Sequence, residues 1–216
     1  MQPTQKNPIG LNVAVLRALA KHVAAQDDPR HYLNAVHVGP HPDGILYEAT
    51  DGSCAVRWLD ITGDLFEEGK PESPIILSAE DLSRLATPEK GHPVGQPSFQ
   101  LDEENWRVGG VVARRIDGDY PDFSKVFHQT PTREEGQFNF DYFARLYKFV
   151  AEATRRPRAE VSLHVCHNGK TGGALVSSSG VENFIAVVMP RETVPEHDAC
   201  PEWALHSWPT DETDPS

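Results

Sequence analysis

One pattern recurs along this chain and limits what it can become: a helical segment followed by about three short strand-like runs, three times over. Residues 11–26 place Val13, Leu16, Ala20 and Val23 on one stripe of an amphipathic helix. Arg17 and Lys21 share the other side at i,i+4, and Asp27-Asp28-Pro29 stops the helix. Strand candidates follow at 32–38, 45–50 and 54–60, separated by Gly, Pro and Asp turns. Ile75-Ile76-Leu77 leads into a second, short helix. Ser78-Ala79-Glu80-Asp81 resembles a capping box there, and Leu82 and Leu85 turn inward. Strands at 98–101, 106–108 and 111–116 come next. Asn139 caps a third helix from Phe140 to about Thr154, packed through Phe143, Leu146, Phe149 and Val150. Three more strands are expected at 160–167, 174–178 and 183–189. The units share a pattern and almost no sequence. Such a chain is expected to be α+β, with helices covering one face of antiparallel sheets.

Composition narrows the class. With 216 residues the chain can hold one large domain or two small ones with a real core. A mean hydropathy of -0.47 suits a soluble protein, and no apolar run approaches the ~20 residues of a membrane span. Met1 to Lys6 lacks the apolar core of a signal peptide, and the three cysteines (Cys54, Cys166, Cys200) form no CxxC pair. The expectation is a reducing cytoplasm. A formal net charge of -12 speaks against nucleic acid as a bulk number. Bulk charge, however, governs solubility and long-range fields, and a basic face can coexist with an acidic exterior. Much of the acid lies at Glu67-Glu68, Asp102-Glu103-Glu104, Glu134-Glu135 and Asp211-Glu212.

Enzyme signatures are sparse. His164-Val165-Cys166-His167 is the densest group of metal-type ligands, but strand alternation sets His164 and Cys166 on one side and His167 on the other. No motif activates Cys54 or Cys166 as a nucleophile. Gly169, Gly172 and Gly173 read as a hairpin turn rather than a phosphate loop. No metal, cofactor or catalytic residue is expected.

Five segments carry a family resemblance when taken in order. Ile45 to Gly52 reads Ile-Leu-Tyr-Glu-Ala-Thr-Asp-Gly, a strand and turn preceded by Arg30-His31-Tyr32-Leu33-Asn34-Ala35-Val36. Ile116 to Phe123, Ile-Asp-Gly-Asp-Tyr-Pro-Asp-Phe, is a rigid turn-forming connector. Phe138-Asn139-Phe140-Asp141-Tyr142-Phe143 opens the third helix, and Val188-Met189-Pro190-Arg191 closes the last strand. Together these resemble the bacterial replicative sliding clamp, the DNA polymerase III β subunit, over roughly residues 10–191. The match is similar to the family's middle domain plus the second half of its last one. It divides the chain into a flexible N-terminus (1–10), a clamp-like domain of two units (11–123), a connector (124–137), a half-domain (138–191) and an acidic, Pro-rich tail (192–216). Clamps carry six units per chain. If a ring of twelve helices is kept, four chains complete it as a tetramer, or the third unit pairs with its symmetry mate.

The resemblance implies a non-enzymatic function with two binding surfaces. Clamp helices offer basic side chains to the phosphates of double-stranded DNA, a contact that tolerates any sequence. Here those would be Arg17, Lys21, Arg84, Arg145, Lys148, Arg155 and Arg156. A hydrophobic cleft would receive a short peptide from DNA polymerase or other clamp-binding proteins. The matching positions are Thr50, Gly52, Ser53, Cys54, Ala55, Pro121, Val126, Val187 and Met189. The family often has bulkier or basic side chains where Ser53, Cys54 and Ala55 stand. The rival reading is a clamp-derived regulator or decoy that forms no ring. A small α+β hydrolase is a more distant third.

Overall fold

The computed structural model describes residues 8–26, 28–61, 73–89, 94–127 and 130–191. The first unit runs β1 (Ile9–Asn12), α1 (Val13–His22), β2 (Ala35–His41), β3 (Gly44–Thr50) and β4 (Cys54–Asp60). The second runs β5 (Ile75–Ser78), α2 (Ala79–Leu82), β6 (Gly95–Gln100), β7 (Asn105–Val108) and β8 (Val111–Arg114). After a single turn of helix, α3 (Ser124–Phe127), come α4 (Phe140–Thr154), β9 (Leu163–Cys166), β10 (Ala174–Ser178) and β11 (Val181–Val188). The α+β expectation holds, with antiparallel pairing throughout the two sheets.

The strands group in an order that the chain order does not suggest. One sheet is β1-β6-β7-β8 and the other is β5-β2-β3-β4-β11-β10-β9. Units one and two therefore exchange their leading strands. β1 joins the second unit's sheet and β5 joins the first's. Residues 8–10, expected to be loose, belong partly to β1, and 75–77, expected as a lead-in to a helix, belong to β5. Both strands are only four residues long and run straight into a helix, so neither shows a period of its own. The first helix is shorter than expected because β1 occupies its start. The first strand begins at Ala35 because residues 31–33 form a turn of 3-10 helix.

Capping sets the helix starts. Asn12 Oδ1 accepts from the Val15 amide, Ser78 accepts from Asp81, and Asn139 accepts from Asp141. Asn12 does more than cap. Its amide N–H donates to the hydroxyl of the fully buried Tyr47 at 2.9 Å, and its Nδ2 donates to Asp60 at 3.2 Å. These bonds tie the start of α1 to β3 and the end of β4.

The third unit is not an appendage. β11 pairs with β4 from Phe184 opposite Trp58 to Val188 opposite Cys54, so units one and three share one sheet. α4 packs on α1 over that seam. Phe149, fully buried, meets Trp58 edge-on at 5.9 Å and Phe184 at 5.6 Å. Truncating Phe149→Ala should cost about 3–5 kcal/mol of stability, the usual range for a buried aromatic. Denaturant unfolding measures this. A single transition that shifts as a whole would show that the third unit unfolds with the first.

Candidate functional site

Some of the expected cleft residues, Ala55 and Val187 among them, lie on the sheet face turned away from the helices. Along β4, Cys54, Val56 and Trp58 enter the core beneath the helices, which leaves Ala55, Arg57 and Leu59 on the other face. Along β11 the alternation puts Phe184, Ala186 and Val188 inward and Val187 outward, and Ala55 stands opposite Val187 in the ladder. The Met189 amide donates to the Ser53 carbonyl at 2.8 Å and extends the pairing past the strand end. Met189 itself remains 37% exposed. A Cβ on Gly173 would lie 2.4 Å from Val187 Cγ1 and 3.2 Å from Met189 Sδ, so the missing side chain makes room for both.

The 50–54 turn is held from within. Thr50 Oγ1 donates to the Cys54 carbonyl at 2.8 Å and accepts from the Gly52 amide at 2.9 Å. Asp51 Oδ1 accepts from the amides of Ser53 and Cys54. Gly52 has a φ of 91°, where a side chain would be strained. Cys54 points the other way, into the helical core. Burial, with the Asp51 charge beside it, pushes its thiol up to about 12.

The connector is a strap rather than a linker. It crosses the outer face strand by strand. Tyr120 stacks on His37 of β2 at 4.9 Å and donates to the Glu48 carbonyl of β3 at 3.4 Å. Phe127 lies under the Arg57 guanidinium of β4 at 4.7 Å, and α3 reaches β11. Pro121 and Val126 ride on this strap, both half-buried. Residues 124–127, expected as the start of a connector, form a turn of helix. Beneath the strap lies an ion ladder that the sequence reading missed. Glu48 accepts from Arg57 Nε at 2.7 Å and bonds His37 Nδ1 at 2.8 Å, each opposite it in the β ladder. Burial pushes the Glu48 carboxyl up, but His37 and Arg57 together hold it below the ordinary value. Polar residues at 37, 48 and 57 inside apolar strands were the available signal.

The helical layer carries all seven expected basic residues on α1, α2, α4 or just beyond them, and it uses several internally. Arg17, half-buried, pairs with Glu152. Arg145 pairs with Asp51 at 2.6 Å and donates to the carbonyls of His22 and Val23, capping the end of α1. Arg84 pairs with Glu80 at 2.6 Å, Arg155 donates to the Glu89 carbonyl, and Arg156 donates to that of Gly180. Lys21 and Lys148 stand exposed near His22. Among the described residues no group of three or more His, Cys, Asp or Glu side chains is placed to hold a metal ion. No described helix is long and apolar enough to cross a membrane. The expected tail, 192–216, lies outside the described residues.

Comparison with solved structures places the fold. The DNA polymerase sliding clamp of Pseudomonas aeruginosa superposes with a TM-score of 0.62 at 15% identity, over 89% of this chain and 68% of that one. The DNA polymerase III β subunit of Thermotoga maritima gives 0.60 at 12% identity, over 90% and 68%. The Bacillus subtilis sliding clamp gives 0.55 at 13%, over 90% and 67%. No protein-family model and no curated protein matches the sequence. The fold is that of the DNA sliding clamps. More particularly, it is the fold of the bacterial DNA polymerase III β subunit, matched over about two thirds of that subunit's length, as the sequence resemblance indicated.

The site's electrostatics predict acid sensitivity. Burial, then Lys148, Lys21, Arg17 and Arg145, lower His22 from 6.5 to about 4. The unfolded chain therefore takes up this proton first. Stability is full above about pH 6.5 and declines as pH falls toward 4. Glu48 acts in the same direction lower down, because a carboxyl held below its ordinary value loses its contribution as pH falls through the folded value. Thermal melts between pH 7 and 4 should show the decline. His22→Gln should flatten the upper part of the slope.

Proposed function

We propose that this protein acts as a clamp-like scaffold without catalytic activity. It assembles with copies of itself, contacts duplex DNA through its helical layer without reading sequence, and holds a short peptide of a replication or repair protein at the β4–β11 junction. One observation carries the reading. The β4–β11 ladder joins the 50–53 turn to the Val187–Met189 exit, distant in sequence, and α3 of the strap reaches β11. Small residues (Gly52, Ser53, Ala55, Gly173) beside a flexible, partly exposed Met189 suit an extended peptide with one or two bulky anchors.

For DNA the argument is electrostatic. Lys21 and Lys148 present exposed charge on adjacent helices, and phosphate contacts need charge rather than a fixed pattern. A second reading, a clamp-derived regulator that forms no ring, draws support from the internal pairing of Arg17 and Arg145. Both sit in the same layer, and both are already matched by acids.

Three measurements separate these readings. Met189→Ala should weaken a labelled peptide carrying bulky apolar anchors by about tenfold in fluorescence polarisation. Equal affinity would remove the cleft. Lys21→Glu with Lys148→Glu should lower DNA affinity and flatten its dependence on salt. Retention on circular DNA and escape once it is linearised would support encirclement. Equal behaviour on both forms supports the regulator.

A further inference from the structure

Units one and two complete each other by a fixed rule. The strand just before each helix leaves its own unit and adds to the first strand of the other, β1 to β6 and β5 to β2. The register is the same in both. The helix-capping residue faces the first residue of the receiving strand, Asn12 opposite Gly95 and Ser78 opposite Ala35. This exchange seals the residues around each cap. Leu11, Val13 and Leu16 in one unit, and Leu77, Ala79 and Leu82 in the other, are all 4% exposed or less.

Unit three follows the local plan without the exchange. Asn139 caps α4, and position by position Phe138, Phe140 and Phe143 stand where Leu11, Val13 and Leu16 do. Yet residues 136–139 belong to no strand, and among the described residues none lies outside β9, which ends the seven-stranded sheet. The result is an open groove of 590 Å³ in which these rings meet Leu163, Val165 and His167. Phe140 is 82% exposed. An apolar groove beside an open strand edge is a surface that natural chains cover.

We infer that a second copy of this chain covers it. Two third units pair across a two-fold axis, each giving its 136–139 segment to the β9 edge of the other. Whatever fills the groove must bring a short segment that leads directly into an apolar-faced helix, and must offer an open first-strand edge in return. The third unit itself has both. An isologous pair satisfies both edges at once, continuing between copies the exchange already made between units one and two. The donating segment is already anchored at the rim: the Gly169 amide donates to the Glu134 carbonyl, and that of Arg191 to Gln137, both at 2.8 Å. The inference rests on this pairing rule alone and is independent of the DNA and peptide readings.

Sedimentation equilibrium of the full chain, without DNA or peptide, tests it. The expected species has twice the chain mass. Phe140→Glu, and more mildly Phe140→Ser, should raise the dissociation constant, the former by about a hundredfold, with circular dichroism unchanged. Val112→Glu replaces an apolar residue 47% exposed on β8 and should leave the pair intact. A monomer at every concentration overturns the inference, including the case in which residues 192–216 of the same chain fill the groove. So does any assembly whose mass Phe140→Glu leaves unchanged.

Discussion

The antiparallel pairing of β11 with β4 is the contact on which the rest of the molecule depends. Without it, β4 would end one sheet and β11 another, each with a row of unpaired backbone groups. With it, α4 comes to lie on α1, and Phe149 settles between Trp58 and Phe184. The ladder also aligns Ala55 with Val187 and draws Met189 to Ser53. The apolar residues of the proposed cleft are thus by-products of a structural joint. A site of this kind comes pre-organised, because the turn and strand exit that form it are held by backbone bonds.

Charge is distributed to serve the same joint. Arg145 reaches Asp51 in the 50–54 turn and the last carbonyls of α1 with one guanidinium, binding two helices and a loop. Arg17 pairs with Glu152 from the α1 side, and the neutral His22 hydrogen-bonds the same carboxylate at 2.9 Å. These partly buried pairs are screened less than surface ones, and removing one partner leaves the other stranded. The consequence for function is a smaller set of cations available to an outside polyanion. That pushes any DNA contact toward summed weak contributions from several helices, and in turn makes assembly matter more than any single side chain.

The legible parts of the sequence were those whose signals are local. Asn139 and the stripe through Leu146, Phe149 and Val150 defined α4 to the residue. The 54–60 strand emerged with its bounds intact because turn residues flank it. The exchange of β1 and β5 was not legible, since four-residue strands fused to helices carry no period and their partners lie far along the chain. The course of the strap was not legible for a related reason. Its polar composition looks like loop, while its fixed course depends on Tyr120 meeting His37 and Phe127 meeting Arg57, contacts that exist only once three strands are aligned. In the site, the family motif located the 50–55 turn and the 187–189 exit. It could not say that Cys54 faces the core, because alternation assigns faces only relative to a known partner.

The strap also reinforces the sheet that carries this joint. A sheet of seven strands with helices on one face leaves its other face to solvent, and here that face holds a carboxylate, Glu48, among apolar strands. An uncovered Glu48 would be well hydrated and its ion pairs weak. Laid over it, Tyr120 and Phe127 exclude water and strengthen the bonds to His37 and Arg57. The strap is in turn held by the ladder it covers, through the Tyr120 hydroxyl and the Arg57 guanidinium. The two layers are mutually dependent, and the course of the strap from Tyr120 to Phe127 is set by β2, β3 and β4.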